Sequence, residues 1–527
     1  MGILSTVMIA AVALTGCSSS NTPSEEAGSV LRMNLQLEPP SLHPGIATDV
    51  QSIAVIRASM EGLMRIGQDG KPHEAGAEKV EVSEDMKTYT FTLRDHKWTN
   101  GDPVTAYDYE YAWKWILDPK NEAPYAYMLY PIVNAEEAKK GEVGVDEIGM
   151  KVIDEKTIQV QLTNPTPYFE DLSAFTVFYP VNKKVAEENP NWHTQADTFV
   201  GNGPYKLESW KHGSELVLKK NNDYWDAATV KLDTVKLAII EDQNTELSMF
   251  ESGELDWVGS PLSEIPSDAL ASLLKEDRVS SIPIAGTYLY RFNTSKPPFT
   301  NEKIRKAFSY AIDRKNLMEN VAQGGQLPAM AFIPPTMIPE NEQGLFKDHD
   351  VETAKALLAE GMKELGVDQL PPVELLYNSQ DLNTKLAQAI QDQWRQNLGV
   401  EVSLVNKERK VQLEEEKNGQ FSISRGAWIG DFNDPINFLE LFVSVDGNNR
   451  TYWHNEEYSR LVNETYSMTD ENKRLENFKK AEAILMDEMP IIPIYFYTYN
   501  YIKDDKVKDV YMDQLGSLDL KWAYIEE

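Results

Sequence analysis

The chain has a single cysteine, Cys17, in 527 residues. No intramolecular disulfide can form, and a zinc knuckle has no set of thiolates to draw on. Histidine is also scarce. His43, His73, His96, His193, His212, His349 and His454 are scattered, and no two have HExxH spacing. A GxSxG elbow is missing too, so the common signatures of zinc and serine hydrolases are absent. Basic residues are the minority, 51 against 83 acidic, for a net charge of −32. Such a field repels polyanions, which argues against a nucleic-acid partner. It suits a soluble surface protein and would mildly favour cationic ligands. No repeat or low-complexity tract is visible. Beyond the N-terminus no apolar run approaches the roughly 20 residues that span a bilayer.

What is present begins with an export signature. Ile3 to Leu14 is a run of small and aliphatic residues, too short for a membrane span but suited to a signal h-region. It ends Leu14-Thr15-Gly16-Cys17, then Ser18-Ser19-Ser20-Asn21. Small residues before a cysteine resemble the lipobox of bacterial lipoproteins, in which the cysteine is lipidated and becomes the mature N-terminus. Residues 1–16 are then a signal peptide, Cys17 the lipid attachment point, and 17–28 a flexible tether. The sequence departs from the usual signal in having no Lys or Arg ahead of the apolar run. A stray cysteine in an ordinary signal peptide is the alternative.

The rest of the chain mixes strands and helices, which predicts an α/β class. It is too long for one core, so two or three lobes are expected. Alternation marks strands at Tyr89–Leu93, Thr157–Leu162 and Val400–Leu404, and the apolar run Ile491–Tyr497 suits a buried strand. Asn301–Asp313 carries Ile304, Ala307, Phe308, Ala311 and Ile312 at helical spacing, with Thr300 as N-cap. Thr384–Leu398 carries Leu386, Ala389, Ile390, Trp394 and Leu398 and stops at Gly399. Asn472–Met489 does the same through Leu475, Phe478, Ala481, Leu485 and Met486, and ends before Pro490. These stripes are core faces. Helix-then-strand units after about residue 285 suggest a separate lobe, and the last thirty residues a return segment.

Four stretches resemble known signatures. The first is Trp98-Thr99-Asn100-Gly101-Asp102-Pro103-Val104-Thr105-Ala106-Tyr107-Asp108. It holds an Asn-Gly turn and a helix capped by Thr105, with Tyr109, Ala112, Trp113 and Ile116 inward. The second is Gly201-Asn202-Gly203-Pro204-Tyr205, a tight turn without the Lys-Ser/Thr ending of a phosphate loop. The third is Tyr288-Leu289-Tyr290-Arg291-Phe292-Asn293, followed by Pro297-Pro298-Phe299. The fourth is Ser424-Arg425-Gly426-Ala427-Trp428-Ile429-Gly430-Asp431-Phe432-Asn433-Asp434-Pro435. There Asp434-Pro435 reads as a helix start, with Asp434 as N-cap and proline at N1. Asp431 has no such explanation. It follows a strand-like segment among glycines and aromatics, where a carboxylate is costly unless a cation pairs with it. The segment lacks the glycine and distal spacing of a calcium loop.

Together these stretches resemble the peptide-binding branch of bacterial extracellular solute-binding proteins, family 5, which serve ABC importers. They are most similar to the oligopeptide-binding lipoproteins of Gram-positive bacteria. The resemblance implies a periplasmic-binding-protein-like type II fold of three lobes, with ligand enclosed between two lobes joined by a hinge. Lobe I would comprise 29–60, 188–284 and 499–527, lobe II 61–187, and lobe III 285–498. It further implies that Asp431 pairs with the α-ammonium of a short peptide and that Ala427, Trp428 and Ile429 pair with its backbone. Arg425 matches a position that meets the peptide carboxylate in some complexes. Thr48, Asp49 and Val50 match the segment opposite the peptide backbone, Tyr125 matches a cleft tyrosine, and Tyr495 or Tyr497 another. Asn383 falls where some members place a histidine that helps bind the carboxyl end. The implied partners are short peptides and the permease and ATPase subunits of the importer. No cofactor, metal or catalytic residue is implied, and a monomer is expected. The implied location is the extracellular face of the bacterial cell membrane, touched only through the lipid at Cys17. Alternatives are the same fold with another cargo (dipeptide, signalling peptide, sugar or nickel chelate), a secreted hydrolase with paired carboxylates, and an adhesin or chaperone.

Overall fold

The computed structural model describes residues 28–445 and 449–526; Cys17, the apolar run before it and nearly all of the tether lie outside the described residues. Three sheets of four or more strands organise the chain. The first has four strands, in the order Val30–Asn34, Thr234–Ala238, Glu215–Lys220, Tyr205–Lys211. Its outer pair, Val30–Asn34 with Thr234–Ala238, is parallel. The start of the described chain therefore returns to pair with a segment two hundred residues later.

The second sheet is antiparallel throughout: Ala77–Val82, Thr88–Leu93, Thr157–Gln161, Met150–Asp154. Its inward residues, Tyr89, Phe91 and Leu93, are buried in strict alternation, as the sequence pattern predicts. Helix Ala106–Leu117 packs nearby with Tyr109, Ala112, Trp113 and Ile116 buried. Thr105 caps it in a capping box with Asp108.

The third sheet has seven strands. Its main order is Trp257–Gly259, Ile491–Lys503, Ser280–Phe292, Ile423–Ile429, Val373–Asn378, Val402–Lys407, and Leu327–Pro328 pairs beside it with Ile491–Lys503. Helix Asp381–Leu398 begins one turn before the predicted start and buries Leu386, Ile390 and Trp394. Helix Glu302–Tyr310 is capped by Asn301, whose side chain accepts the Ile304 amide, and not by Thr300. The cap needs its acceptor three residues ahead of a free helical N–H, and Asn301 meets that spacing.

Ser280–Phe292 and Ile491–Lys503 are each 13 residues long and run antiparallel. The expected lobe boundaries at 284/285 and 498/499 fall inside these strands. Their pairing breaks register between Pro283 and Thr287. Within that break the Ala285 amide donates to the Gln514 carbonyl (2.7 Å), and the Ala285 carbonyl accepts from Gly430 N (2.8 Å). The terminal segment docks by buried charge: Arg57 meets Asp513 at 2.6 Å and Arg65 meets Asp519 at 2.5 Å. Arg65 also holds Glu61 at 2.8 Å, and Tyr205 Oη donates to the Leu520 carbonyl at 3.0 Å.

The Gly201-Asn202-Gly203 turn is structural. A Cβ at Gly201 or Gly203 would collide with the Ser59 or Met60 backbone. Asn202 sits between them and bonds both the amide and the carbonyl of Glu61 (2.8 and 3.0 Å).

Candidate ligand-binding cleft

Strand Ile423–Ile429 pairs along its whole length with Ser280–Phe292 on one side. On the other it meets Val373–Asn378 only at Ile423 and Ser424. The Arg425 carbonyl accepts Gln412 Nε2 at 2.7 Å. From Ala427 to Ile429 that second edge has no strand beside it, and Ile429 is exposed. A half-paired strand presents backbone donors and acceptors that another extended chain satisfies.

The strand ends in a turn that aims Asp431. Asn437 Oδ1 accepts both the Asp431 amide (2.9 Å) and Trp428 Nε1 (3.1 Å), fixing the turn against helix Ile436–Leu439. Asp434 is explained within the protein. It accepts the Ile436 amide at 2.9 Å and forms a buried bidentate pair with Arg474, Nη2 to Oδ1 being 2.9 Å. Asp431 differs: among the described residues no basic side chain pairs with it. Burial pushes its pKa above the ordinary carboxylate value, against a hydrogen bond from the Tyr127 hydroxyl that pulls it down.

Asp431 faces a cleft of about 580 Å³, lined on one side by Tyr127, Tyr130 and Tyr168 and on the other by Trp428, Phe432, Glu440 and Tyr466. The walls meet where Tyr168 stacks on Phe432, with centroids 4.8 Å apart and planes 5° apart. The sides come from segments on either side of the second sheet's last strands and from the turn after Ile429. Glu440 accepts from the Tyr466 hydroxyl at 3.0 Å, and burial chiefly, with the nearby Asp434 and Asp431 charges, pushes its pKa to about 7.

The other expected residues fall into two groups. Burial chiefly, and then the charges of Asp431 and Asp49, push the Tyr125 hydroxyl pKa up. Thr48 is exposed, Val50 is half-buried, and Asp49 caps helix Val50–Ser59 by accepting the Ser52 amide at 2.8 Å. Arg425 lies on the opposite face of its strand from Trp428. Its guanidinium sits 4.7 Å over the Tyr288 ring, Nη2 donates to Tyr497 Oη at 3.3 Å, and its buried Nε has no partner. No carboxylate pairs with it among the described residues.

Tyr495 and Asn383 are both buried, behind Tyr288 and Arg425. Tyr495 is buried and stacks on Tyr288 at 4.7 Å. Asn383 is buried too, accepting from Tyr288 Oη (3.1 Å) and donating to Asn378 Oδ1 (3.1 Å) and Gln380 Oε1 (2.9 Å). Both contact Tyr288, the ring that lies under Arg425. Tyr497 alone of the tyrosine pair stays half-exposed. The cleft residues that sequence reasoning missed are Tyr127, Tyr168, Phe432, Glu440 and Tyr466. Tyr127, two residues beyond Tyr125 in the short Pro124–Leu129 helix, carried a signal; Glu440 was visible only as a polar interruption after an apolar helix start.

Residues 71–450 match the family model of bacterial extracellular solute-binding proteins, family 5. The chain belongs to that family. It is 47% identical to the oligopeptide-binding protein OppA of Bacillus subtilis over 539 aligned positions, covering 99% of each chain. Among solved structures, a murein tripeptide-binding protein, MppA, in its unliganded open form superposes with a TM-score of 0.85 at 32% identity. It covers 95% of this chain and 98% of its own. Haemophilus influenzae OppA in complex with the peptide RPPGFSPFR superposes at 0.73 and 30% identity, covering 95% and 100%. The family fold is the three-sheet α/β arrangement described above.

Proposed function

We propose that this family 5 protein is the extracellular peptide-capturing component of an ABC importer, delivering short oligopeptides to the permease and ATPase subunits. One observation carries the reading: the open backbone edge of Ala427–Ile429 runs directly into a carboxylate, Asp431, that no basic side chain among the described residues pairs with. Peptide side chains vary, but the backbone and the α-ammonium do not. A binder that must accept many sequences recognises those constants, pairing the backbone as a strand and the ammonium by charge. The OppA names of relatives, and the peptide in the Haemophilus complex, support the same cargo.

Arg425, with Tyr497 beside it, is suited to a peptide carboxylate, and Tyr125 and the Thr48–Val50 segment to the opposite side of the ligand. We assign lobe I to 29–60, 188–284 and 499–527, lobe II to 61–187 and lobe III to 285–498. The crossing strands and their break at Pro283–Thr287 form the hinge between lobes. Closure would narrow the cleft around the peptide and mark the protein as loaded. The closer superposition on an open, unliganded relative supports an open state here. Cys17 is the lipid anchor on the outer face of the cell membrane, and the protein acts as a monomer.

The test is calorimetry on protein refolded to remove carried ligand, with tetra- and pentapeptides in free and N-acetylated form. Mass spectrometry of the recovered peptide accompanies it. Binding of free peptides, loss on acetylation and intact recovery are expected. Binding of neither form would refute a peptide cargo, and cleaved peptides would refute a carrier.

A further inference from the structure

Behind Trp428 the chain gathers positive charge, against its overall balance of −32. A cavity of about 160 Å³ opens beside Ala427 and Trp428, and among the described residues its wall carries Arg291, Arg409 and Arg450 against one carboxylate, Glu416. Arg291 is the most telling of them. Its side chain is only 14% exposed, yet its nearest counter-charge is Glu416 at 3.7 Å, beyond hydrogen-bond range. The described residues offer its guanidinium no hydrogen bond. Glu416 is already engaged, with Oε1 accepting Ser424 Oγ at 2.6 Å and Gln412 Nε2 at 3.0 Å. Burial, and then the charges of Arg425, Arg409 and Arg450, lower the Arg291 pKa in spite of Glu416. Among the described residues three guanidinium groups share this one carboxylate; Arg409 is exposed and donates to Gln412 Oε1 (2.9 Å) and Arg450 is half-buried, so the cost of incomplete pairing falls on the buried Arg291.

Register ties this cavity to the open strand edge. Thr287, Leu289 and Arg291 pair with Trp428, Gly426 and Ser424, so these side chains share one face, while Arg425 and Ala427 point to the other. Gly426 leaves the room; a Cβ there would collide with the Arg291 guanidinium. A peptide laid along Ala427–Ile429 sends alternate side chains to the two faces, so one of its side chains meets the arginine cavity.

We infer, resting on the peptide-binding reading above, that this cavity is a side-chain pocket selecting Asp or Glu at one position of the bound peptide. An acidic protein thus prefers an acidic residue at that point, opposite to what its net charge suggests. The carboxylate completes the set around Arg291, with Arg450 and Arg409 at the mouth.

The test titrates the ligand-free full chain with tetra- and pentapeptides carrying Glu, Gln or Lys at each position in turn, with free and amidated C-termini. At one position Glu is expected to bind at least about tenfold tighter than Gln, the scale of one charged hydrogen bond, with Lys weaker than both. Arg450→Gln and Arg409→Gln, at the less buried side of the cavity, are each expected to bring the Glu/Gln ratio towards one. Equal affinity for Glu and Gln at every position, with free-amino peptides still binding, would overturn the pocket and leave the peptide reading standing. A preference that vanishes on C-terminal amidation would overturn it too, assigning the cavity to the terminal carboxylate. Failure of every peptide to bind would remove the peptide reading and the pocket together.

Discussion

Replacing Asp431 with asparagine removes one charge from the cleft and almost nothing else. The amide keeps an oxygen for the Tyr127 hydroxyl, and the turn stays pinned through the backbone amide to Asn437. Among the described residues no cation pairs with Asp431, so the apoprotein loses no ion pair and its stability should hardly fall. The loss appears only with ligand. Removing one partner of a buried ion pair costs about 3–5 kcal/mol, or roughly two to three decades in affinity. Calorimetry with a free-amino and an N-acetylated peptide on both proteins completes a double-mutant cycle. Acetylation should weaken binding to the wild type by about a hundredfold or more and barely change binding to the variant. The cycle separates the ammonium contact from every other contact the peptide makes. If Asp431→Asn binds the free peptide within about threefold of wild type, or if acetylation costs both proteins equally, Asp431 is not the anchor and the argument from its missing partner is wrong.

Binding should also weaken in acid, because the ionised carboxylates attract the ammonium. Affinity is highest where the carboxylates are ionised and the peptide still carries its ammonium, which is lost at about pH 8. Towards acid it falls as Glu440 protonates near 7 and falls further as Asp431 follows above the ordinary carboxylate range; Glu440→Gln should flatten the upper part of that acid limb in pH-resolved titrations. Arg474→Leu strands the buried Asp434 carboxylate and should cost about 3–5 kcal/mol in urea unfolding; a loss under 1 kcal/mol would contradict the burial. Glu482, buried and bonded to the Phe332 and Ile333 amides, has its pKa pushed to about 7 by burial. A carboxyl group raised on folding contributes stability that is complete below its unfolded value near 4.5 and lost as pH rises through about 7. The Tm difference between wild type and Glu482→Gln should therefore decline from pH 5 to pH 8, and a flat or rising difference would refute it.

Local rules were legible wherever one element buries one face. The alternation in Thr88–Leu93 and the stripe of Leu386, Ile390 and Trp394 follow from apolar spacing alone, and the glycines of 201–203 from turn chemistry. Asp434 was readable as a helix-start residue, though its bidentate pair with Arg474 was not, since forty residues separate them. Thr300 failed as a cap because two adjacent polar residues compete and only backbone geometry chooses Asn301.

By itself the sequence determined the α/β class, the principal strands and helices, and the singular position of Asp431, a carboxylate among glycines and aromatics with no local role. Resemblance of its signatures to a family extended this to a fold and a cargo. Tertiary structure alone decided which groups share a space. It drew Tyr127 and Glu440 to the Asp431 cleft, enclosed Tyr495 and Asn383 behind Tyr288, and set Arg291 against Gly426 beside Arg409 and Arg450. Periodicity reports which face of an element is buried, not which distant element covers it. Charge patterning reports a sum of −32, not the local excess of arginine that sheet register concentrates behind Trp428.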